Sequence, residues 1–348
     1  MRLLIGGGGT GGQLYPALAV ARAFRADEPG GAVLLVGRAG GPEERLVPAA
    51  GFELETVKVR GLDRDAVWKN LALPWVIPTA LRAGLRIVDR FRPDVVLGMG
   101  GYAMVPVVAA ARMRRIPYVL HEKDVRPGLA TRIFSGAAAA ICTTLPGTEK
   151  RIRARRVVMT GVPLREGFEL RTPAVPPKTL LVTGGSQGAR NLNFAVWEAL
   201  EELLRRFEGV IHVAGRQGAE GIAAHVNPRY RGLTFTDDMT GLMARADLVV
   251  SRAGVGTIAE VTSVGLPMVL VPGTFGGGHQ EENAAALVDA GAAVRVGDVE
   301  LTPESLVEAI DALTPDRLRA MATASASAGR RDAAEHVLAV VHEVVAGR

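Results

Sequence analysis

Short β-branched apolar runs alternate along the chain with longer stretches whose apolar residues recur every three or four positions. This is the pattern of parallel strands joined by crossover helices. In the first half the runs predict strands at Arg2–Ile5, Ala32–Val36, Glu53–Val57, Val95–Leu97, Tyr118–Leu120, Ala140–Cys142 and Val157–Thr160. The segment Gly161–Lys178 carries four prolines and scattered charges, which disfavour a continuous helix or inner strand and mark a domain boundary. A second series follows, with strands predicted at Thr179–Val182, Val210–Val213, Leu233–Phe235, Leu248–Ser251, Met268–Val271 and Ala293–Val296. Asp332–Val345 has apolar residues at helical spacing and either closes the second domain or crosses back onto the first. The expected division is residues 1–162, with 331–348 available to complete them, and residues 163–330.

Composition narrows the class. At 348 residues the chain exceeds the size at which one core usually keeps growing, which favours two domains. Hydrophobic residues at 48% and charged residues at 22% describe a globular protein. The single cysteine, Cys142, cannot form an internal disulfide, which fits a reducing cytosol, and no Cys/His cluster has zinc spacing. The apolar stretch in MRLLIGGGG is too short for a signal peptide, so export is not expected. The longest uncharged run, Val95 to Ala111, is broken by Gly98, Gly100, Gly101 and Pro106 and falls short of the roughly 20 residues of a membrane-spanning helix. A net charge of +5 and a pI near 9.7 favour an anionic partner. Few aromatics and no recognition motif argue against nucleic acid.

The candidate chemistry sits in glycine-rich turns between strand and helix. In Gly6–Gly12 the glycines let the backbone approach a ligand closely, and the helix expected from about Leu14 points free N–H groups at it, so an anion is the natural guest. The same string satisfies the dinucleotide pattern, but Gly37 and Arg38 follow the second strand where an acidic residue would hold the ribose of NAD. NAD is disfavoured, and Arg38 leaves NADP open. Gly184–Arg190 repeats the arrangement after the first strand of the second half, with Ser186 offering a hydroxyl to phosphate. In Ser251–Glu260 a glycine turn opens a helix on which Glu260 could clamp the cis-diol of a ribose. Gly276–Asn283 is a further loop entering a helix, with amide side chains suited to sugar hydroxyls. Each of these is also compatible with a packing turn or a solvated helix face.

Taken together, GGGGTGGQLYPALAVA, RPDVVLGMGGY, IPYVLHEKD, TGVPLR, VTGGSQGARNLN, the DDM of TFTDDM and SRAGVGTIAEVTSVGLPMVLVP with HQEENA resemble, in that order, the MurG family of bacterial glycosyltransferases. The resemblance covers nearly the whole length. It implies a GT-B fold, two Rossmann-like doubly wound domains facing across a cleft, and inverting transfer of N-acetylglucosamine from UDP-GlcNAc to the C4 hydroxyl of the muramyl sugar of lipid I. The product, lipid II, serves peptidoglycan synthesis and through it cell shape and division. The resemblance places the donor against Thr10, Gly11, Gly12, Asp124, Arg165 and Ser186. Thr236 and Val255, Gly256, Thr257, Ile258, Ala259 and Glu260 would hold uracil and ribose, and Gln280 would reach the sugar. UDP would lie mainly in the second domain and the acceptor in the first.

Two departures bear on the chemistry. The family usually has histidine where this chain has Gln13, and an amide nitrogen cannot act as a general base near neutral pH. The family's HEQN is HEKD here, which leaves Glu122, Asp124 and His121 as candidates for the base. The D-x-D string Asp63-Arg64-Asp65 lies outside the glycine loops and reads as surface, so neither a metal nor another cofactor is expected. In WKNLALPWV, Trp68 and Trp75, with Arg82, Arg86 and Arg90 following at helical spacing, form an interfacial patch for an anionic membrane, the region to which the family's membrane association is assigned. The expected location is peripheral, on the cytoplasmic face of the cell membrane. The alternatives are another GT-B enzyme, such as a UDP-sugar epimerase or a transferase with a different acceptor, a non-catalytic nucleotide-sugar-binding membrane scaffold, and an NADP oxidoreductase.

Overall fold

The computed structural model describes residues 1–9, 11–59, 73–185, 188–274 and 278–347, those at 11 and 73–75 by backbone only. Two units emerge, Met1–Glu166 with Asp332–Arg348, and Gly167–Arg331. The first is built on β1 (Arg2–Gly6), β2 (Ala32–Arg38), β3 (Glu53–Val57), β4 (Val95–Gly98), β5 (Tyr118–Glu122), β6 (Ala140–Thr143) and β7 (Val157–Met159), in the order β3-β2-β1-β4-β5-β6-β7. The second uses β8 (Thr179–Thr183), β9 (Gly209–Val213), β10 (Tyr230–Leu233), β11 (Leu248–Ser251), β12 (Met268–Leu270) and β13 (Ala293–Arg295), in the order β10-β9-β8-β11-β12-β13. Every strand pair is parallel. Each unit is therefore a Rossmann-like, doubly wound sheet.

Parallel sheets bury both faces of their inner strands, which is why β1, β4, β8 and β11 read as apolar runs rather than alternating ones. Leu3, Ile5, Leu35, Leu97 and Val119 face one layer, with Leu14, Leu18 and Phe24 of the helix Gly11–Asp27. Leu4, Leu34, Val96, Leu120 and Ile141 face the other, with Ile87, Val88 and Phe91 of the helix Leu73–Phe91 and Val107 and Val108 of the helix Met104–Met113. The last helix, Ala333–Ala346, returns to the first layer through Val337, Leu338 and Val341. Each of these side chains contributes roughly 1.5–3 kcal/mol when fully buried, enough to hold the helix on the first sheet.

Two expectations shift. The run Leu233–Phe235 is not the strand: β10 occupies Tyr230–Leu233 and pairs Tyr230 with Val210 and Leu233 with Val213. Buried Tyr230 fixes that register, while Phe235 is 54% exposed in the following loop. The first helix begins at Gly11 rather than near Leu14, which moves Pro16 from its first turn into its second.

The proline-rich boundary is irregular, and its backbone finds an acceptor in Asp247, whose buried carboxylate takes N–H groups from Ala174 (2.8 Å), Lys178 (3.0 Å) and Thr179 (3.1 Å) and a bond from the Arg171 guanidinium (2.9 Å).

Candidate functional site

In each sheet the strand order reverses between the first strand and its fourth, β1 and β4 in one unit, β8 and β11 in the other. Loops leaving the carboxyl ends of such strands diverge and leave a crevice for a ligand.

In the first unit the turn after β1 is tightly held. Gly7 N–H donates to the Val36 carbonyl at 3.1 Å, and Gly9 N–H donates to the carboxylate of Glu43. Gly8 and Gly9 take φ of +146° and +96°, a region other residues rarely adopt. Gly12 is exposed and Gly11 lies in the first turn of the helix; Thr10 falls outside the described residues. Gln13, half-buried, faces the turn after β4, where Gly100 and Gly101 also have positive φ.

The three candidate bases stand at the end of β5 in different surroundings. His121 is 3% exposed, and its Nε2 lies 2.9 Å from the Gly161 carbonyl, an acceptor, so Nε2 carries the proton. Burial pulls its pKa down to about 4. Glu122 is also buried and accepts from the N–H groups of Asp124 (3.2 Å) and Gly128 (3.0 Å). Burial raises its carboxyl above the ordinary value, against these bonds and one from Thr131 that favour the charged form. Asp124 is the more accessible, its side chain 18% exposed, and pairs with Lys123 at 2.8 Å. Arg165 sits 5.2 Å over the ring of Tyr15, which projects from the helix Gly11–Asp27.

In the second unit Gly185 N–H donates to Thr183 Oγ1 at 3.1 Å and Gly188 N–H to the Gly185 carbonyl at 3.1 Å. Ser186 lies outside the described residues. A side chain on Gly184 would meet the Ala189 nitrogen at 2.5 Å, so only glycine allows the turn to close onto the helix Arg190–Glu198. That helix and Val255–Val264, which follows β11, have Ala189 and Gly254 as their N-cap residues, neither with a side-chain acceptor. Their first N–H groups are left for a ligand or water. Within the second helix Val255 (1% exposed) and Ile258 (2%) are core, so only their backbone can serve a ligand, whereas Gly256, Thr257, Ala259 and Glu260 are half-exposed. Thr236 Oγ1 accepts from Asp238 N–H at 3.0 Å. On the helix His279–Asp289, Gln280 Oε1 accepts from Gly273 N–H at 2.9 Å, and buried Asn283 donates to the Ala253 carbonyl at 3.2 Å.

Sequence reasoning missed the supports beneath these loops. Arg252 and Asp298 form a buried ion pair at 2.6 Å, to which Asn191 adds a bond at 3.3 Å. Behind the turn after β8, the Asn193 amide donates to the Ala214 carbonyl at 2.7 Å and turns its Oδ1 to His212 Nε2 at 3.0 Å. Oδ1 only accepts, so Nε2 is protonated and Nδ1 takes the Tyr230 hydroxyl proton at 3.1 Å. The Tyr230 oxygen in turn accepts from Trp197 Nε1 at 2.8 Å. Burial lowers the His212 pKa to about 4, helped by His225. No local signal announces Glu43 or His212, because their partners lie far away in the chain.

Residues 3–143 match the glycosyltransferase family 28 N-terminal domain, and residues 179–337 match the glycosyltransferase family 28 C-terminal domain. The chain is 39% identical to the protein of Moorella thermoacetica named UDP-N-acetylglucosamine--N-acetylmuramyl-(pentapeptide) pyrophosphoryl-undecaprenol N-acetylglucosamine transferase, over 99% of this chain and 99% of the relative. A protein of the same name from Nocardioides is 38% identical over 100% of this chain and 99% of its own. Among solved structures, MurG of Acinetobacter baumannii superposes with a TM-score of 0.79 at 29% identity, covering 98% of this chain and 99% of that one. A UDP-GlcNAc 2-epimerase from Neisseria meningitidis bound to UDP-GlcNAc gives a TM-score of 0.70 at 15% identity over 99% of this chain and 100% of that one, a likeness of fold alone.

Proposed function

The chain belongs to glycosyltransferase family 28, and on that premise we propose that it moves N-acetylglucosamine from UDP-GlcNAc to the C4 hydroxyl of the muramyl sugar of lipid I. The product is the β-1,4-linked disaccharide of lipid II, formed with inversion. The observation that carries this reading is the pair of helix N-termini, Arg190–Glu198 and Val255–Val264, at the switch point of one parallel sheet. Their unclaimed N–H groups and aligned dipoles suit a diphosphate.

On this reading the second unit holds the donor. The turn Gly184–Gly188, with Ser186, and the amides from Val255 to Ala259 take the UDP; Glu260 takes the ribose, Thr236 the uracil side, and Gln280 the sugar. The first unit takes the acceptor. Asp124 is the proposed base. His121 is buried, with its Nε2 proton given to Gly161, and the two oxygens of Glu122 each hold a backbone N–H, whereas the Asp124 carboxylate, paired with Lys123, reaches solvent. Asp124 takes the C4 proton as that oxygen bonds to the anomeric carbon and the bond to the diphosphate breaks. The N-termini of the helices Arg190–Glu198 and Val255–Val264 absorb the charge growing on the departing UDP.

No helix among the described residues is long and apolar enough to cross a membrane. The acceptor is a lipid, and the helix Leu73–Phe91 exposes Ile77 (59%), Pro78, Arg82 and Arg86. This supports peripheral attachment to the anionic cytoplasmic face of the cell membrane through that helix. Arg90 is engaged by Glu55. Trp68 lies outside the described residues, as does the D-x-D string, and Trp75 is described by backbone only.

The test supplies radiolabelled UDP-GlcNAc and a lipid I analogue with EDTA present. Disaccharide-lipid should form at the rate seen without chelator. Absence of product overturns the transferase reading, and loss of rate with EDTA alone overturns the metal-free mechanism.

A further inference from the structure

We propose that Gln13 is a positioning residue that staples together the two turns at the first sheet's switch point and so holds the acceptor side in register; this rests on the transferase reading above. The turn after β1 is fastened at its outer flank by Gly7 N–H on Val36 and Gly9 N–H on Glu43. The Glu43 carboxylate is 0% exposed and occupies space that side chains on Gly8, Gly37 and Gly41 would fill, and its Oε2 has no hydrogen-bond partner. Enclosure and a single backbone N–H therefore hold it in place.

Gln13 fastens the inner flank. Oriented to satisfy both neighbours, its amide donates from Nε2 to the Gly8 carbonyl at 2.5 Å and accepts at Oε1 from Gly101 N–H at 3.2 Å. Gly8 belongs to the turn after β1 and Gly101 to the turn after β4, so one planar group ties both. The turns approach closely: a side chain on Gly101, whose φ is +74°, would meet the Gly8 carbonyl oxygen at 2.7 Å. Glycines have little conformational preference of their own, so the turn at Gly8 and Gly9 keeps one shape only while something outside holds it. An amide offers a donor and an acceptor together and neither gains nor loses charge near neutral pH, so it cannot serve as a general acid or base. The chemistry of residue 13 in this chain is therefore mechanical, and proton transfer falls to another group.

The test compares Gln13→Met, which keeps the length of the side chain but neither hydrogen bond, and Gln13→Ala with the unmodified full-length protein. Amide hydrogen exchange read by mass spectrometry should quicken about tenfold in peptides spanning 6–13 and 98–103 in both variants, and stay unchanged in peptides spanning 184–189 and 252–260. The KM for the lipid I analogue should rise about tenfold and the KM for UDP-GlcNAc stay within about twofold, a ratio to the unmodified enzyme that does not vary with pH. Unchanged exchange in Gln13→Met overturns the staple. Faster exchange with unchanged acceptor KM, or a variant-to-parent ratio that changes with pH, overturns the positioning role. An unmodified protein that forms no product overturns the transferase reading, while the exchange data still judge the staple.

Discussion

Acidification should destabilise the second unit through His212. The folded chain holds this imidazole neutral, 0% exposed, with Nε2–H given to Asn193 and Nδ1 accepting from Tyr230. Its pKa is about 4 when folded against 6.5 for an ordinary histidine, chiefly because burial penalises the charged ring. Well above pH 6.5 neither folded nor unfolded chain carries the proton, and the group has no pH effect. Between 6.5 and 4 the unfolded chain binds a proton that the folded chain refuses, so stability falls as pH falls. At pH 5 the loss is about 2 kcal/mol, approaching about 3.4 kcal/mol below pH 4. Trp197, whose ring centroid is 5.5 Å from that of His212, provides the probe. With Trp68 and Trp75 changed to phenylalanine, urea unfolding followed by its fluorescence at pH 7.5 and pH 5 gives the stability difference, and the same measurement on His212→Gln subtracts every other titrating group. The parent should lose about 2 kcal/mol more than the variant. Equal losses would refute the claim that His212 is buried neutral.

Asp124→Asn should lower kcat by roughly 10²–10⁴-fold with UDP binding by calorimetry unchanged, and a variant with full rate removes Asp124 as the base. Arg252→Met strands the buried Asp298 carboxylate and should cost about 3–5 kcal/mol in urea unfolding, much of it recovered in Arg252→Met/Asp298→Leu. No recovery in the double variant would contradict an uncompensated charge as the cause. Arg82→Gln with Arg86→Gln should weaken cosedimentation with anionic vesicles by about 2 kcal/mol, near 1 kcal/mol per arginine, and leave neutral vesicles unaffected. Undiminished sedimentation would move the membrane contact elsewhere.

The local elements were legible because their causes are local. β8 and β11 lie where apolar runs end against turn residues, and the helix Arg190–Glu198 begins just past the glycines. Leu233–Phe235 misled because β-branched and aromatic character scores a segment without its partners, whereas the ladder with β9 and the burial of Tyr230 select the earlier residues. The motif HQEENA marked a polar helix start, but its Asn283 amide serves the Ala253 carbonyl.

What the sequence by itself determined is the alternation of strand and helix in two series, the glycine turns at strand ends, and the family through motifs spread over the whole chain. These follow from backbone preference and residue spacing, which act over a few positions. What only the tertiary structure decided is the state of the polar groups: His121 neutral and bonded to Gly161, Glu122 holding a loop, Asp124 paired with Lys123, Glu43 sealed against Gly9, and Gln13 bridging to Gly101. Desolvation and pairing set those states, and both depend on neighbours that only folding brings together.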